Sequence, residues 1–250
     1  MHIPKPGQKS TPEEIADIML NDTEYFGFCN DFKYLGTTFD KTMNDSKEIR
    51  NRIQKATGAF AKMKETLQNR NIPAKLRNKT YEATVLNILL FGCESWALKE
   101  QDRKKLEACH HKFLRAILKI SMFDVKENKI QNKYIRKKLD AYSLTQIMEM
   151  RRAKWLEKLA HMSSTRNPRK LFVTWVHAPR PIGRPKQTIR HSYAITLEEN
   201  LGYKGDSSFN AWMNDAKNPA TWKQQVERTL KLKPGTYKLA NLNGNTGQKK

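Results

Sequence analysis

Cysteine, acidic residues and long apolar runs are all scarce in this 250-residue chain. The three cysteines, Cys29, Cys93 and Cys109, are far apart and odd in number. A disulfide framework is therefore not expected, and a reducing compartment, the nucleus or the cytoplasm, fits best. No apolar run approaches the ~20 residues of a membrane helix. The opening MHIPKPGQK has neither the apolar core of a signal peptide nor an Arg-rich amphipathic pattern.

The shortage of acidic residues leaves the chain strongly basic. It has 47 Lys and Arg against 25 Asp and Glu, a net charge of +22. The surplus is uneven, because residues 1–46 carry −4 and residues 47–250 therefore carry +26. Compacting so much positive charge costs stability unless a polyanion neutralises it. Nucleic acid is the first candidate, and an anionic membrane is the second.

The hydropathy pattern predicts a mainly α fold with a small β region at the N-terminus. EYFGFC and FKYLGTTF are β-rich, and Asn30-Asp31 between them is predicted as a hairpin connection. The strongest helix pattern runs from Asn44 to Gln68, with Asp45 or Ser46 as its cap. Its apolar stripe consists of Ile49, Ile53, Ala56, Phe60, Met63 and Leu67.

Further helices follow at regular intervals. Pro73 is predicted at the N1 position of a helix that Gly92 ends. The next covers residues 100–119, with Leu106, Cys109, Phe113 and Ile117 facing inward, and another opens at Ser143. After a Pro- and Gly-rich linker, HAPRPIGRPK, helices are predicted at 189–201, near Trp212 and from Pro219, and a disordered tail begins at Lys233.

No complete active site is apparent in the sequence. The aspartates are isolated, whereas two-metal phosphoryl chemistry needs clustered carboxylates. Cys109-His110-His111 lacks the second ligand pair of a metal site, so we interpret Cys109 as a core residue. There is no nucleophile elbow, although a Ser/His/Asp arrangement assembled by the fold stays open.

Clustered cations are the stronger functional signal. Lys47, Lys55 and Lys62 fall on one flank of the helix at 44–68, with Arg52 at its margin. Two further groups lie in PAKLRNK (Lys75, Arg77 and Lys79) and in RPIGRPK (Arg184 and Lys186). Cations in the first turns of a helix oppose the macrodipole, and bound phosphate would compensate for them. The alternative interpretation is a solvated helix face and a plain linker.

The motifs FKYLG, LLFGCESWAL and FLRAIL together resemble reverse transcriptases of non-LTR, LINE-type retrotransposons. The similar region is the part that follows the polymerase active site, and matches continue in order to Trp222. The resemblance implies that Phe32, Tyr34, Leu35 and Gly36 form the primer grip of such an enzyme. One departure is Glu157-Lys158, which stands where the family often has Gly-His.

The resemblance also implies a division of the chain. Residues 1–43 would be residual palm strands with a primer-grip hairpin, 44–130 a helical thumb, 131–232 a C-terminal helical region and 233–250 a disordered tail. The catalytic aspartates and their Mg²⁺ would belong to an upstream palm, so this chain would use no cofactor and would have no polymerase activity alone.

The function implied is that of a truncated reverse transcriptase. Its basic thumb would bind an RNA–DNA template-primer, with the upstream palm and fingers as partner domains. The alternative is a basic helical nucleic-acid-binding or interaction protein, a domesticated or decaying remnant without an enzymatic role.

Overall fold

The computed structural model describes residues 18–19, 25–26, 29–41, 44–177, 189–204, 208–234 and 236–237. The fold is mainly helical, with a small antiparallel β region near the N-terminus, and this confirms the predicted fold class. Arg184, Lys186 and most of the predicted tail lie outside the described residues, but Tyr237 within that tail is buried. The chain divides into two compact units, one of Met1–Gly92 with Glu100–Met122 and the other of Cys93–Lys99 with Phe123–Lys250.

The β region consists of two short antiparallel pairs. Strand β1 (Ile18–Met19) pairs with β2 (Tyr25–Phe26), and β3 (Asp31–Tyr34) pairs with β4 (Thr37–Asp40). The turn between β3 and β4 is Leu35-Gly36, whose φ angles of 46° and 85° are both positive. Two such residues make the tight turn that matches strand twist, and glycine adopts it without strain.

The predicted hairpin connection at Asn30-Asp31 is wrong. Asp31 is the first residue of β3, and its cross-strand partner is Asp40. The Asn30 carbonyl accepts a hydrogen bond from the Lys41 N–H at 3.0 Å, which closes the open end of the β3–β4 hairpin. The turn forms at Leu35-Gly36 instead, within the segment that resembles a primer grip.

The first helix, α1, spans Ser46–Gln68. Asp45 occupies the N-cap without a side-chain cap bond, whereas Asn44 Oδ1 accepts from the Ser46 N–H at 3.2 Å. Four members of the predicted apolar stripe are buried, namely Ile49, Ala56, Phe60 and Leu67, and Ile53 and Met63 are half-buried. The periodicity therefore predicted the inward face of α1.

The rest of the first unit packs against that face. Helix α2 (Ala74–Tyr81) passes through a π-helical turn (Glu82–Leu86) into α3 (Asn87–Leu89), and α4 spans Glu100–Leu118. Pro73 occupies the N-cap of α2 instead of the predicted N1 position. The Phe60 and Phe113 rings stack at 4.8 Å between centroids.

Position 109 is not a full core position. Cys109 is half-buried, and the adjacent His110 is buried instead. His110 Nδ1 is 2.8 Å from the Tyr81 hydroxyl, a hydrogen bond inside the core. The other residues predicted to face inward, Leu106, Phe113 and Ile117, are buried. The prediction was therefore wrong only at Cys109, beside which the partnered imidazole of His110 is buried instead.

The second unit is helical throughout its described part. Its helices are α5 (Met122–Glu127, which begins at the unit boundary), α6 (Asn132–Leu139), α7 (Leu144–His161), α8 (Asn167–His177), α9 (Ile189–Ile195, extended by a π-helical turn over Thr196–Asn200), α10 (Ser208–Lys217) and α11 (Pro219–Thr229). Ser143 and Gln146 form a capping box at α7. The sequence prediction missed α5, α6 and α8.

A polar contact lies inside the core of the second unit. Tyr237 donates to Glu157 Oε2 at 2.9 Å and accepts from Trp222 Nε1 at 3.1 Å. All three side chains are buried. Glu157 therefore has a partner for its carboxylate in the core. Among the helices within the described ranges, none is long and apolar enough to cross a membrane.

Candidate nucleic-acid interface

The β3–β4 hairpin carries exposed aromatic side chains. Phe32 is 50 % exposed and Tyr34 is 57 % exposed, and their rings lie 6.3 Å apart in a stacked arrangement. Leu35, at the turn, is 79 % exposed. Phe39 is opposite Phe32 across the hairpin and is also exposed. The residues predicted as a primer grip thus form an apolar outer surface.

Polar contacts fix this hairpin to one flank of α1. Glu48 Oε2 accepts from the Thr38 N–H at 2.8 Å, and Asn51 Nδ2 donates to Thr38 Oγ1 at 3.1 Å. Lys47 Nζ lies 2.8 Å from the Asp31 carboxylate. Lys47 was predicted to contact nucleic acid, and its ammonium is engaged in this ion pair, which is partly exposed.

Arg52 belongs to the same attachment. Its Nη2 donates to the Gly36 carbonyl at 2.6 Å, its Nε pairs with Glu48, and its guanidinium lies 4.3 Å from the centre of the Phe91 ring. The side chain is buried. Arg52 was predicted to bind nucleic acid, but its hydrogen bonds are used to hold the hairpin turn. The sequence could have indicated this role, because Glu48 lies four residues before Arg52, where an acidic side chain can pair with it.

Arg77 is also structural. It is buried, and it donates to the carbonyls of Ile117 (2.6 Å), Ile72 (3.1 Å) and Leu67 (3.3 Å). Leu67 and Ile117 are in the last turns of α1 and α4, where carbonyls lack helical partners and the dipole is negative. The predicted phosphate contact at this position is replaced by a cap on two helices. Lys75 and Lys79, its neighbours on α2, are exposed.

Lys55, Gly58 and Lys62 form the main basic feature of α1, here called the α1 stripe. All three are exposed, and their spacing of three and four residues places them along one line of the helix. The lysines are separated by about 10.5 Å along the axis. In the described part of the chain, neither lysine forms an ion pair. Asn51 continues the line towards the hairpin, so hairpin and stripe share one flank.

Positive charge predominates around the α1 stripe, although Glu65 lies three residues after Lys62. Between Glu48 and Glu65, α1 has no acidic residue, and Arg50 and Lys64 are also exposed. Like charges along one helix repel each other and raise the local potential. A polyanion would relieve that repulsion.

Gly58 has no structural reason to be glycine. A Cβ atom built there meets nothing within 4 Å. Its position is in the middle of a helix, where glycine is about 1 kcal/mol less favourable than alanine. A glycine in such a place leaves the helix backbone open to close approach from outside. An isolated glycine inside a helical pattern has no distinctive sequence signal that would mark it as functional.

Neither a metal-binding cluster nor an activated thiol is found among the described residues. No cluster of three or more His, Cys, Asp or Glu within them could hold a metal ion. Burial raises the pKa of the Cys93 thiol to about 12 and that of Cys109 to about 11, so both are protonated near neutral pH. Neither thiol is therefore an activated nucleophile.

Comparison of the chain with protein-family models, curated proteins and solved structures gave no match in any of the three.

Proposed function

We propose that this chain binds nucleic-acid duplexes, as the thumb and primer-grip portion of a non-LTR-type reverse transcriptase. The main support for the proposal is the α1 stripe. Its two exposed lysines lie on either side of Gly58, where the fold does not require a glycine. The aromatic hairpin is attached to the same flank of α1. The resemblance of FKYLG and the later motifs supports the identity of the partner as an RNA–DNA template-primer inside the cell.

Binding would rest on the phosphate backbone. Lys55 and Lys62 are about two helical turns apart, so they reach separate phosphates on one side of a duplex. Gly58 between them removes the side chain that would hold the helix axis away from a strand. Contacts of this kind read shape and charge and not sequence, so affinity is expected to follow A-form geometry.

The hairpin would act at the end of the duplex. Phe32 and Tyr34 offer flat exposed faces to a terminal sugar or base, and Arg52 and Glu48 keep the turn in one orientation. Orientation of reactants is a large part of polymerase catalysis. The carboxylates and Mg²⁺ would come from another part of the protein, so this chain would position a primer without extending it.

The test is a double variant, Lys55→Gln with Lys62→Gln, measured for affinity to an RNA–DNA hybrid over a range of salt concentrations. We expect weaker binding for every sequence and a salt slope lower by roughly 1 per lost contact. The charge-matched control is Lys217→Gln with Lys231→Gln, both exposed in the second unit. Lys233 is less suitable as a control, because it pairs with Asp140.

Equal losses in both double variants would show diffuse attraction and would contradict a specific thumb surface. An unchanged affinity in the Lys55–Lys62 variant would favour the alternative, a basic helical protein whose exposed hairpin serves another interaction.

A further inference from the structure

We propose that helix α6 in the second unit is a separate site for single-stranded nucleic acid. Its sequence, NKYIRKKL, has no acidic residue. Ile135 and Leu139 are fully buried, so they anchor one face of the helix in the core. The outer face carries Lys133, Tyr134, Lys137 and Lys138, all exposed.

The lysines of this face have no carboxylate to neutralise them. Within the described ranges, no ion pair involves Lys133, Lys137 or Lys138. Lys133 and Lys137 are four residues apart, where like charges repel. Lys133 is also in the first turn, which the macrodipole disfavours for a cation, and the N-cap residue Gln131 makes no side-chain cap bond. Lys137 and Lys138 are in the last turn, where the macrodipole favours cations. The cost therefore falls on Lys133 and on the repulsion between Lys133 and Lys137, and phosphate would compensate for it.

Tyr134 identifies the form of nucleic acid. Its ring is 47 % exposed, and the Lys138 ammonium lies 5.1 Å from the ring centre. An exposed ring beside unpaired lysines is the arrangement on which an unpaired base stacks while its phosphates meet the cations. Bases in a duplex are already stacked and cannot reach a flat surface ring, so the site selects single strands.

An anionic membrane fits this helix less well. Helices that lie on membranes turn an apolar face outward into the lipid, but the apolar residues of α6 are buried in the protein. Only Tyr134 would enter a bilayer from the outer face of α6. The inference does not depend on the duplex surface proposed above, since it concerns the other unit, another strand form and different residues.

The test uses the full chain with fluorescein-labelled oligouridylate and oligothymidylate, and affinity is read by anisotropy. We expect Tyr134→Ala to weaken binding about five-fold or more, the lower bound for losing one stacked base. Tyr134→Phe keeps the ring and should retain affinity. Lys133→Gln with Lys137→Gln should lower the salt slope by about 1.4, which corresponds to two single-strand phosphates.

Three results would overturn the inference. The first is that the control variant Lys217→Gln with Lys231→Gln loses as much oligonucleotide affinity as Lys133→Gln with Lys137→Gln. The second is that Tyr134→Ala binds the oligonucleotides as tightly as the wild type. The third is loss of binding to phosphatidylserine vesicles with Tyr134→Ala while oligonucleotide binding persists, which would assign α6 to a membrane. The Lys55–Lys62 variant should lose duplex affinity and keep oligouridylate affinity, so the two sites can fail separately.

Discussion

Gly58→Ala is expected to change stability and nucleic-acid binding in opposite directions. The new methyl group meets nothing within 4 Å, and Gly58 has no positive φ angle. The gain is therefore the difference in helix propensity, about 1 kcal/mol in favour of alanine. For a protein of this size, that raises Tm by roughly 2–4 °C.

The same methyl group should weaken duplex binding. It would project from the α1 stripe between Lys55 and Lys62, where we propose that a strand lies close to the helix backbone. An added methyl in a close contact typically costs about 1–3 kcal/mol, which corresponds to a loss in affinity of about five-fold or more. Thermal unfolding by circular dichroism and anisotropy with an RNA–DNA hybrid measure the two effects.

Thr57→Ala is the matched control for this prediction. Thr57 is exposed on the opposite flank of α1, so its replacement improves helix propensity without changing the α1 stripe. It should keep full duplex affinity. If Gly58→Ala is more stable and still binds like the wild type, no strand approaches the helix there. If it is less stable, the space around Gly58 is not open.

Three further outcomes are expected. Arg77→Ala should lower the free energy of unfolding by roughly 3 kcal/mol or more in urea titrations, because it leaves three backbone carbonyls without their charged donor. A change of less than about 0.5 kcal/mol would show that Arg77 does not stabilise the two helix ends. Burial raises the pKa of the Cys109 thiol to about 11, so only about 0.1 % of it is thiolate at pH 8. Peptide mapping should therefore show that iodoacetamide alkylates Cys109 slowly in the folded chain and fast in urea. Primer extension with Mg²⁺ or Mn²⁺ should stay at background, because the aspartates are isolated in the sequence; activity above background would contradict this prediction.

The sequence was informative about the fold wherever a long amphipathic pattern coincided with a cap or a proline. The pattern of α1 gave both its extent and its buried residues, and Ser143 marked the start of α7. Helices α5 and α6 were missed because each spans under three turns, too short for periodicity to show. The predicted connection at Asn30-Asp31 was wrong, because the hairpin turn needs positive φ angles, and Gly36 adopts one without strain.

The candidate site was less predictable than the fold. The helical spacing that predicted Lys55 and Lys62 as nucleic-acid contacts also predicted Arg52. Tertiary contacts, however, bury Arg52 beneath the hairpin turn. Gly58 carries no sequence signal, since its significance depends on the empty space around it. In the sequence, Tyr134 is one aromatic residue in a charged segment. Only the burial of Ile135 shows that Tyr134 is on the outward face of α6.

The buried cations in the described part of the chain are all arginines, whereas most of the exposed cations are lysines. Arg52, Arg77 and Arg152 are buried, and each donates to at least one backbone carbonyl. No lysine is buried in the part of the chain that the structure describes. The planar guanidinium can satisfy several acceptors at once, whereas a compact ammonium remains better hydrated at the surface. A polyanion would therefore meet mainly lysines, which act as hydrated point charges. Such contacts supply affinity without base recognition, so the salt dependence of binding should exceed its sequence dependence.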